Sequence, residues 1–197
     1  MLQLPGPSDG LRIGLFGGSF NPAHSGHRHV AETALKRLQL DWVWWIVARG
    51  NPLKSNHGDF ASRAASAVAM ANHPRMCVST IEYDLGLTYT VDTLAALKSR
   101  APTAKFVWLM GADSLRNFHM WKDWQTIAHL APTAIIARPG AGQEARQSVF
   151  AKTFAARRLP ETKATALADQ AAPAWAYITA PLNPASSTAL RAAKAKS

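Results

Sequence analysis

Short apolar runs and helical periodicities take turns along this sequence from its first dozen residues to its last, and few architectures accept that alternation. Leu11–Gly17 ("LRIGLFG") is an apolar run closed by glycine, which predicts a buried strand. Val30, Ala31, Ala34, Leu35 and Leu38 then recur at helical spacing, in a helix starting at His24 or Ser25. Trp42–Ala48 ("WVWWIVA") predicts a second buried strand, rich in aromatic and β-branched residues. A helix over Phe60–Asn72, a strand over Met76–Glu82, a helix over Thr90–Ser99 and a strand over Lys105–Gly111 continue the pattern. Thr133–Arg138 predicts a fifth strand, closed by Pro139 and Gly140. A helix over Gln143–Arg158, a sixth strand over Ala174–Ala180 and a short helix over Ser187–Lys194 follow. The run Ala164–Ala174 suits a helix or a loop. Strands alternating with helices in this way predict an α/β fold: a Rossmann-like, doubly wound, mostly parallel sheet of five to six strands with flanking helices.

The chain has 197 residues, 48% of them hydrophobic, which suits a single domain with one packed core. Pro5, Gly6 and Pro7 make residues 1–10 a loose leader without a signal pattern, and residues 192–197 a basic tail. The single cysteine, Cys77, excludes an internal disulfide framework and a Cys-rich zinc site, so a reducing, cytoplasmic setting is expected. No apolar run approaches the roughly 18 residues of a membrane span. Lys and Arg total 22 against 12 Asp and Glu, a formal net charge of +10, which favours anionic partners. The basic residues are spread along the chain and no nucleic-acid signature is present, so a basic nucleic-acid-binding module is the weaker reading and phosphorylated small molecules the stronger.

The junction between the first strand and the first helix, "FGGSFNPAHSGH" (Phe16–His27), carries more than a turn requires. Ligands of open α/β sheets bind at the carboxyl ends of strands, near the point where strand order reverses, and a helix N-terminus there attracts anions. Gly17 and Gly18 let backbone come close to a ligand. His24 and His27, three residues apart, share a helix face and can both reach one phosphate. The alternative, a metal pair, lacks a third Cys, His or acidic ligand nearby in sequence. Neither a G-x-G-x-x-G turn nor a G-x-x-x-x-G-K loop is present, which argues against dinucleotide-dependent dehydrogenases and P-loop ATPases.

With these residues in view, the sequence resembles the nucleotidyltransferase superfamily. "GLFGGSFNPAHSGH" is similar to its H-x-G-H signature, and "SSTALR" (Ser186–Arg191) to its C-terminal S-S-T-x-x-R segment, in the expected order. "TYTVDTL" (Thr88–Leu94), "GADSLRNFHMWKDW" (Gly111–Trp124) and "ARPG" resemble the S-Y-T-x-D-T-L, G-x-D-x-L-x-x-F-x-x-W-x-x-W and R-P-G segments of bacterial nicotinate-nucleotide adenylyltransferases. The resemblance runs from Arg12 to Arg191.

The reaction it implies joins nicotinate mononucleotide to the α-phosphate of ATP, forming nicotinate adenine dinucleotide and pyrophosphate in NAD biosynthesis, with Mg²⁺ accompanying ATP. Related adenylyltransferases acting on nicotinamide mononucleotide or phosphopantetheine are the alternatives within the fold. By this resemblance His24, His27, Lys54 and Arg191 are the catalytic set. Backbone N–H groups of Gly17, Gly18, Ser19 and Phe20, together with Gly111, Asp113, Ser186, Ser187 and Thr188, complete the ATP site. Thr88, Tyr89 and Trp121, with Lys54 and Asp113, hold the mononucleotide: Trp121 stacks on the pyridine ring, while Thr88, Tyr89 and N–H groups near Trp121 hold its carboxylate. Plainer roles stand beside these. Ser187 and Asp113 suit helix caps, Trp121 suits the core, Asp92 a cap or solvent, and Lys54 and Arg191 a solvated surface. The chain departs from the family where "GNPLK" replaces P-P-H-K: Leu53 stands in for a histidine, and His57 is a nearby substitute. It also stops shortly after Arg191, without the family's usual C-terminal extension, so no oligomer contact is carried over.

Overall fold

The computed structural model describes residues 4–50, 58–181, 183, 185 and 187–194. Leu53, Lys54, His57 and Ser186 lie outside the described residues, as do residues 1–3 of the leader and 195–197 of the tail. Seven parallel strands form one sheet in the order β3-β2-β1-β4-β5-β7-β6. They are β1 (Arg12–Gly18), β2 (Trp42–Val47), β3 (Met76–Ser79), β4 (Lys105–Gly111), β5 (Thr133–Ile136), β6 (Arg158–Leu159) and β7 (Trp175–Ile178). The sheet therefore exceeds the five to six strands expected, by a two-residue edge strand too short to leave a periodicity. Its order reverses between β1 and β4, where a crevice opens at their carboxyl ends.

Period-two alternation divides the strand side chains between two cores. In β2, Trp44 and Ile46 join Ile13, Leu15 and Trp108 on one face, while Val43, Trp45 and Val47 join Phe16, Val107 and Leu109 on the other. Helices cover both faces, as parallel sheets require. On the second face, α1 (Ser25–Arg37) buries Val30, Ala31, Ala34 and Leu35, and α2 (Phe60–Met70) buries Ala67. On the first face, α4 (Thr90–Arg100) buries Leu94 and Leu97.

Local chemistry explains where the elements depart from the sequence periodicity. β3 ends at Ser79, whose hydroxyl accepts the Ile81 N–H at 3.2 Å and turns the chain into α3 (Ile81–Asp84) instead of continuing the strand to Glu82. After β4 come α5 (Ala112–Leu115), a 3₁₀ turn at Phe118–Met120 and α6 (Trp124–Leu130). The helix expected over Gln143–Arg158 breaks at Ser148. Its hydroxyl donates to Ala145 O at 2.8 Å and accepts the Ala151 N–H at 3.2 Å, ending α7 (Gly142–Gln147) and capping α8 (Val149–Thr153). Glu161–Asp169 is 3₁₀, and α9 (Ser187–Lys194) closes the described chain. The leader is less loose than expected over residues 4–10: Leu4 packs on the first core, and a methyl group at Gly6 would lie 3.3 Å from Trp44 Nε1.

Candidate active site

A cavity of about 540 Å³ occupies the crevice. Every described residue that the sequence reading assigned to a site lines it. Gly17, Gly18, Ser19 and Phe20 come from the end of β1, His24 and His27 from the start of α1, and Gly111 and Asp113 from the end of β4. Thr88 and Tyr89 precede α4, Trp121 precedes α6, and Ser187, Thr188 and Arg191 enter from α9.

The two histidines cap their own helix. His24 is the N-cap of α1, and its Nδ1 accepts the Gly26 N–H at 3.1 Å, while His27 Nδ1 accepts the His24 N–H at 3.2 Å. An Nδ1 that accepts cannot carry a proton, so each neutral ring keeps its hydrogen on Nε2, the atom farthest from the helix backbone. The cap thus sets the tautomer, with the ring N–H on Nε2 in both residues, and both residues line the cavity. The rings lie 3.8 Å apart between centroids, and Phe20 packs edge-on to His27 at 5.1 Å. Burial, with Arg138 nearby, lowers the His24 pKa from 6.5 to about 4, so it donates as a neutral group at pH 7.

Arg138, at the end of β5, is the residue the sequence reading passed over although it sits in "ARPG". Its side chain is 11% exposed, its Nη2 donates to Ala185 O at 2.9 Å, and its Nε lies 4.0 Å from Asp113 Oδ1. Gly26 makes this possible: a Cβ there would collide with Arg138 Nη1 and stand 2.8 Å from Ala185 O. Gly17 serves a similar purpose, because its Cβ would occupy the space of the Trp108 indole on the cavity floor.

The C-terminal helix is tied to the β1–α1 loop. Ser187 Oγ donates to Pro22 O at 3.0 Å, and Arg191 Nη1 donates to Asn21 O at 2.6 Å. The Ser187 hydroxyl proton is therefore spent on the loop, which leaves its oxygen a poor partner for phosphate. Toward the described residues Arg191 commits two of its five N–H donors, the second to Thr188 Oγ1 at 3.3 Å.

At the other end, Trp121 packs edge-on to Phe118 at 5.3 Å and to Trp108 at 6.4 Å, one part in the core and one part on the cavity. Its own N–H donates to Phe118 O at 3.0 Å and so is not one of the amides that can hold a carboxylate. Lys122 Nζ lies 4.4 Å from the Tyr89 ring centroid, a cation–π contact at the cavity wall. Asp92 is exposed and makes no cap bond to α4. Glu82, also on the wall, is 5% exposed, and burial lifts its pKa from 4.5 to about 7. Among the described residues no group of three or more His, Cys, Asp or Glu side chains gathers to hold a metal. The lining brings N–H, imidazole and guanidinium donors together with the carboxylates of Asp113 and Glu82, a set suited to nucleotide phosphates and to a divalent ion held mainly by them.

Residues 15–193 match the model of the cytidylyltransferase-like family. The chain is 54% identical over 188 residues to a probable nicotinate-nucleotide adenylyltransferase of a Caulobacter species, covering 94% of this chain and 100% of that one. It is 51% identical to another of that name from Methylorubrum extorquens, covering 92% and 99%. Among solved structures, the Plasmodium falciparum nicotinic acid mononucleotide adenylyltransferase complexed with NaAD superposes with a TM-score of 0.70 at 19% identity, over 92% of this chain and 83% of that one, which establishes the shared fold.

Proposed function

The chain belongs to the cytidylyltransferase-like family, among its nicotinate-nucleotide adenylyltransferases, and from that premise we propose how its cavity carries out the reaction. The enzyme transfers the adenylyl group of ATP to nicotinate mononucleotide, giving nicotinate adenine dinucleotide and pyrophosphate. An oxygen of the mononucleotide phosphate forms a bond to the α-phosphorus of ATP as the bond to the β-phosphate bridging oxygen breaks. The acceptor is already an anion, so the protein needs no nucleophile or base. It has to align two phosphates that repel each other and neutralise the charge that builds on the α-phosphoryl oxygens.

Nε2–H of His27 donates to the α-phosphate, and Nε2–H of His24 to its neighbour. Backbone N–H groups of Gly17–Phe20, the α9 N-terminus with Thr188, and the remaining donors of Arg191 hold the triphosphate. Arg138 adds charge at the same end, and Asp113 takes a ribose hydroxyl. Trp121 gives the pyridine ring a flat face, with Thr88 and Tyr89 beside its carboxylate. Lys54 and Ser186 keep their sequence-based assignments to the phosphates. A Mg²⁺ ion carried by ATP would supply charge neutralisation at the phosphates, beside the donors of His24, His27 and Arg191. A single cytoplasmic domain working on small molecules, without nucleic acid, belongs to the same proposal; no described helix is long and apolar enough to cross a membrane.

The observation that carries the reading is the tautomer lock: His24 and His27 each accept a backbone N–H at Nδ1, which puts the ring N–H on Nε2, and both line one cavity that Arg191 also lines. The test is purified protein with ATP, Mg²⁺ and nicotinate mononucleotide. Equal amounts of pyrophosphate and dinucleotide, formed faster than with nicotinamide mononucleotide or phosphopantetheine, are expected. Faster turnover of either other acceptor would overturn the substrate assignment.

A further inference from the structure

Two buried ionisable side chains beside the cavity have no part in the mechanism above. Arg63, on α2, is 3% exposed and faces no hydrogen-bonded carboxylate among the described residues; its guanidinium instead gathers carbonyls. Nη1 donates to Ser19 O at 2.9 Å and Ala48 O at 2.7 Å, and Nη2 to Arg49 O at 3.1 Å. Glu82, on α3, accepts the Arg49 N–H at 3.1 Å and the Thr93 hydroxyl at 3.0 Å. The peptide joining Ala48 to Arg49 is thus gripped from both sides, its oxygen by Arg63 and its N–H by Glu82.

A trans peptide points its carbonyl and its N–H in opposite directions. Pulling Ser19 O toward α2 aims the Phe20 N–H away from α2, and pulling Arg49 O the same way does so for the Gly50 N–H. The Ser66 hydroxyl lies between Arg63 O at 2.9 Å and Phe20 O at 3.2 Å and shares its one proton between them, and it receives the Ala23 N–H at 3.1 Å. Phe20 and Gly50 both line the cavity. Resting on the phosphate-transfer reading, we propose that Arg63 and Glu82 are a positioning pair: from opposite sides they fix the peptide planes at the ends of β1 and β2 so that backbone N–H groups meet the nucleotide phosphates. Burying a guanidinium and a carboxyl is costly, and although Arg63 Nε is left without a partner, the bonds of Nη1, Nη2 and the Glu82 carboxyl favour this arrangement of the two strand ends.

Three variants test it, read by ATP affinity (calorimetry with Mg²⁺), by kcat and KM for each substrate, and by melting temperature. Arg63→Met keeps bulk and loses every donor; it should weaken ATP binding about tenfold, with the mononucleotide KM within about twofold. Glu82→Leu releases the Arg49 N–H and should lower kcat about tenfold. Glu82→Gln has an amide oxygen for that N–H and an amino group for Thr93 Oγ1, whose proton then turns to Tyr89 O, 3.2 Å away; it should recover most of what Glu82→Leu loses. A Gln variant as impaired as the Leu variant, or losses that follow only the unfolded fraction, would overturn the proposal. Should Arg63→Met fail to fold, the comparison at Glu82 decides alone. A wild-type protein that binds ATP but does not turn over the mononucleotide would refute the proposed reaction, whereas an unchanged ATP affinity in folded Arg63→Met would refute the positioning pair.

Discussion

His24 and His27 each do two jobs with the two nitrogens of one ring. Nδ1 satisfies an orphan N–H of the α1 terminus, and that bond leaves Nε2 as the donor. Replacing His27 by Ala should therefore lower kcat by about 10²–10³-fold, the usual loss for one electrostatic donor, while circular dichroism stays native. His24 also sets a pH dependence. Its pKa is about 4 in the fold against 6.5 for a free imidazole, so between these values the unfolded chain binds the extra proton. Stability is complete above pH 6.5 and declines as pH falls toward 4. The melting temperature of the wild type should accordingly drop more steeply between pH 7 and 4.5 than that of His24→Asn, whose capping oxygen does not titrate. At the other end of the cavity, Trp121→Ala removes a flat face but no phosphate donor. It should raise the KM for nicotinate mononucleotide about tenfold or more and leave that for ATP nearly unchanged.

Among the elements, α1 carries the site because its first turn is open to close neighbours. An alanine in a helix is ordinarily worth up to about 1 kcal/mol over glycine, yet the expected sign for Gly26→Ala is the reverse. The new methyl meets Arg138 and the Ala185 carbonyl, so the variant should lose about 1–3 kcal/mol in urea denaturation and bind ATP more weakly. The strand and helix periods, and the strand-to-helix junction with its histidines, were legible in the sequence because each is a local pattern. The breaks were not: Ser79 and Ser148 end elements through single hydroxyl bonds that leave no periodic trace. β6 is two residues long and owes its pairing to β7.

Over the whole molecule, residues from both ends of the chain meet at one cavity, and the order of the sheet explains why. β4 is the middle strand and β1 lies beside it, so their carboxyl ends frame the crevice that α9 reaches from the far end of the chain. Short motifs announced that meeting. Arg63 went unannounced, because a buried guanidinium that collects carbonyls from the ends of two strands looks, in sequence, like any helical arginine. The central claim is that the cavity holds two phosphates in line and the protein supplies no nucleophile. The stereochemical course at the α-phosphorus, followed with ATP made chiral there by sulfur and an oxygen isotope, tests it most directly. A single in-line displacement predicts inversion in the dinucleotide product; retention would mean that the adenylyl group rests on the enzyme first, and would contradict the account.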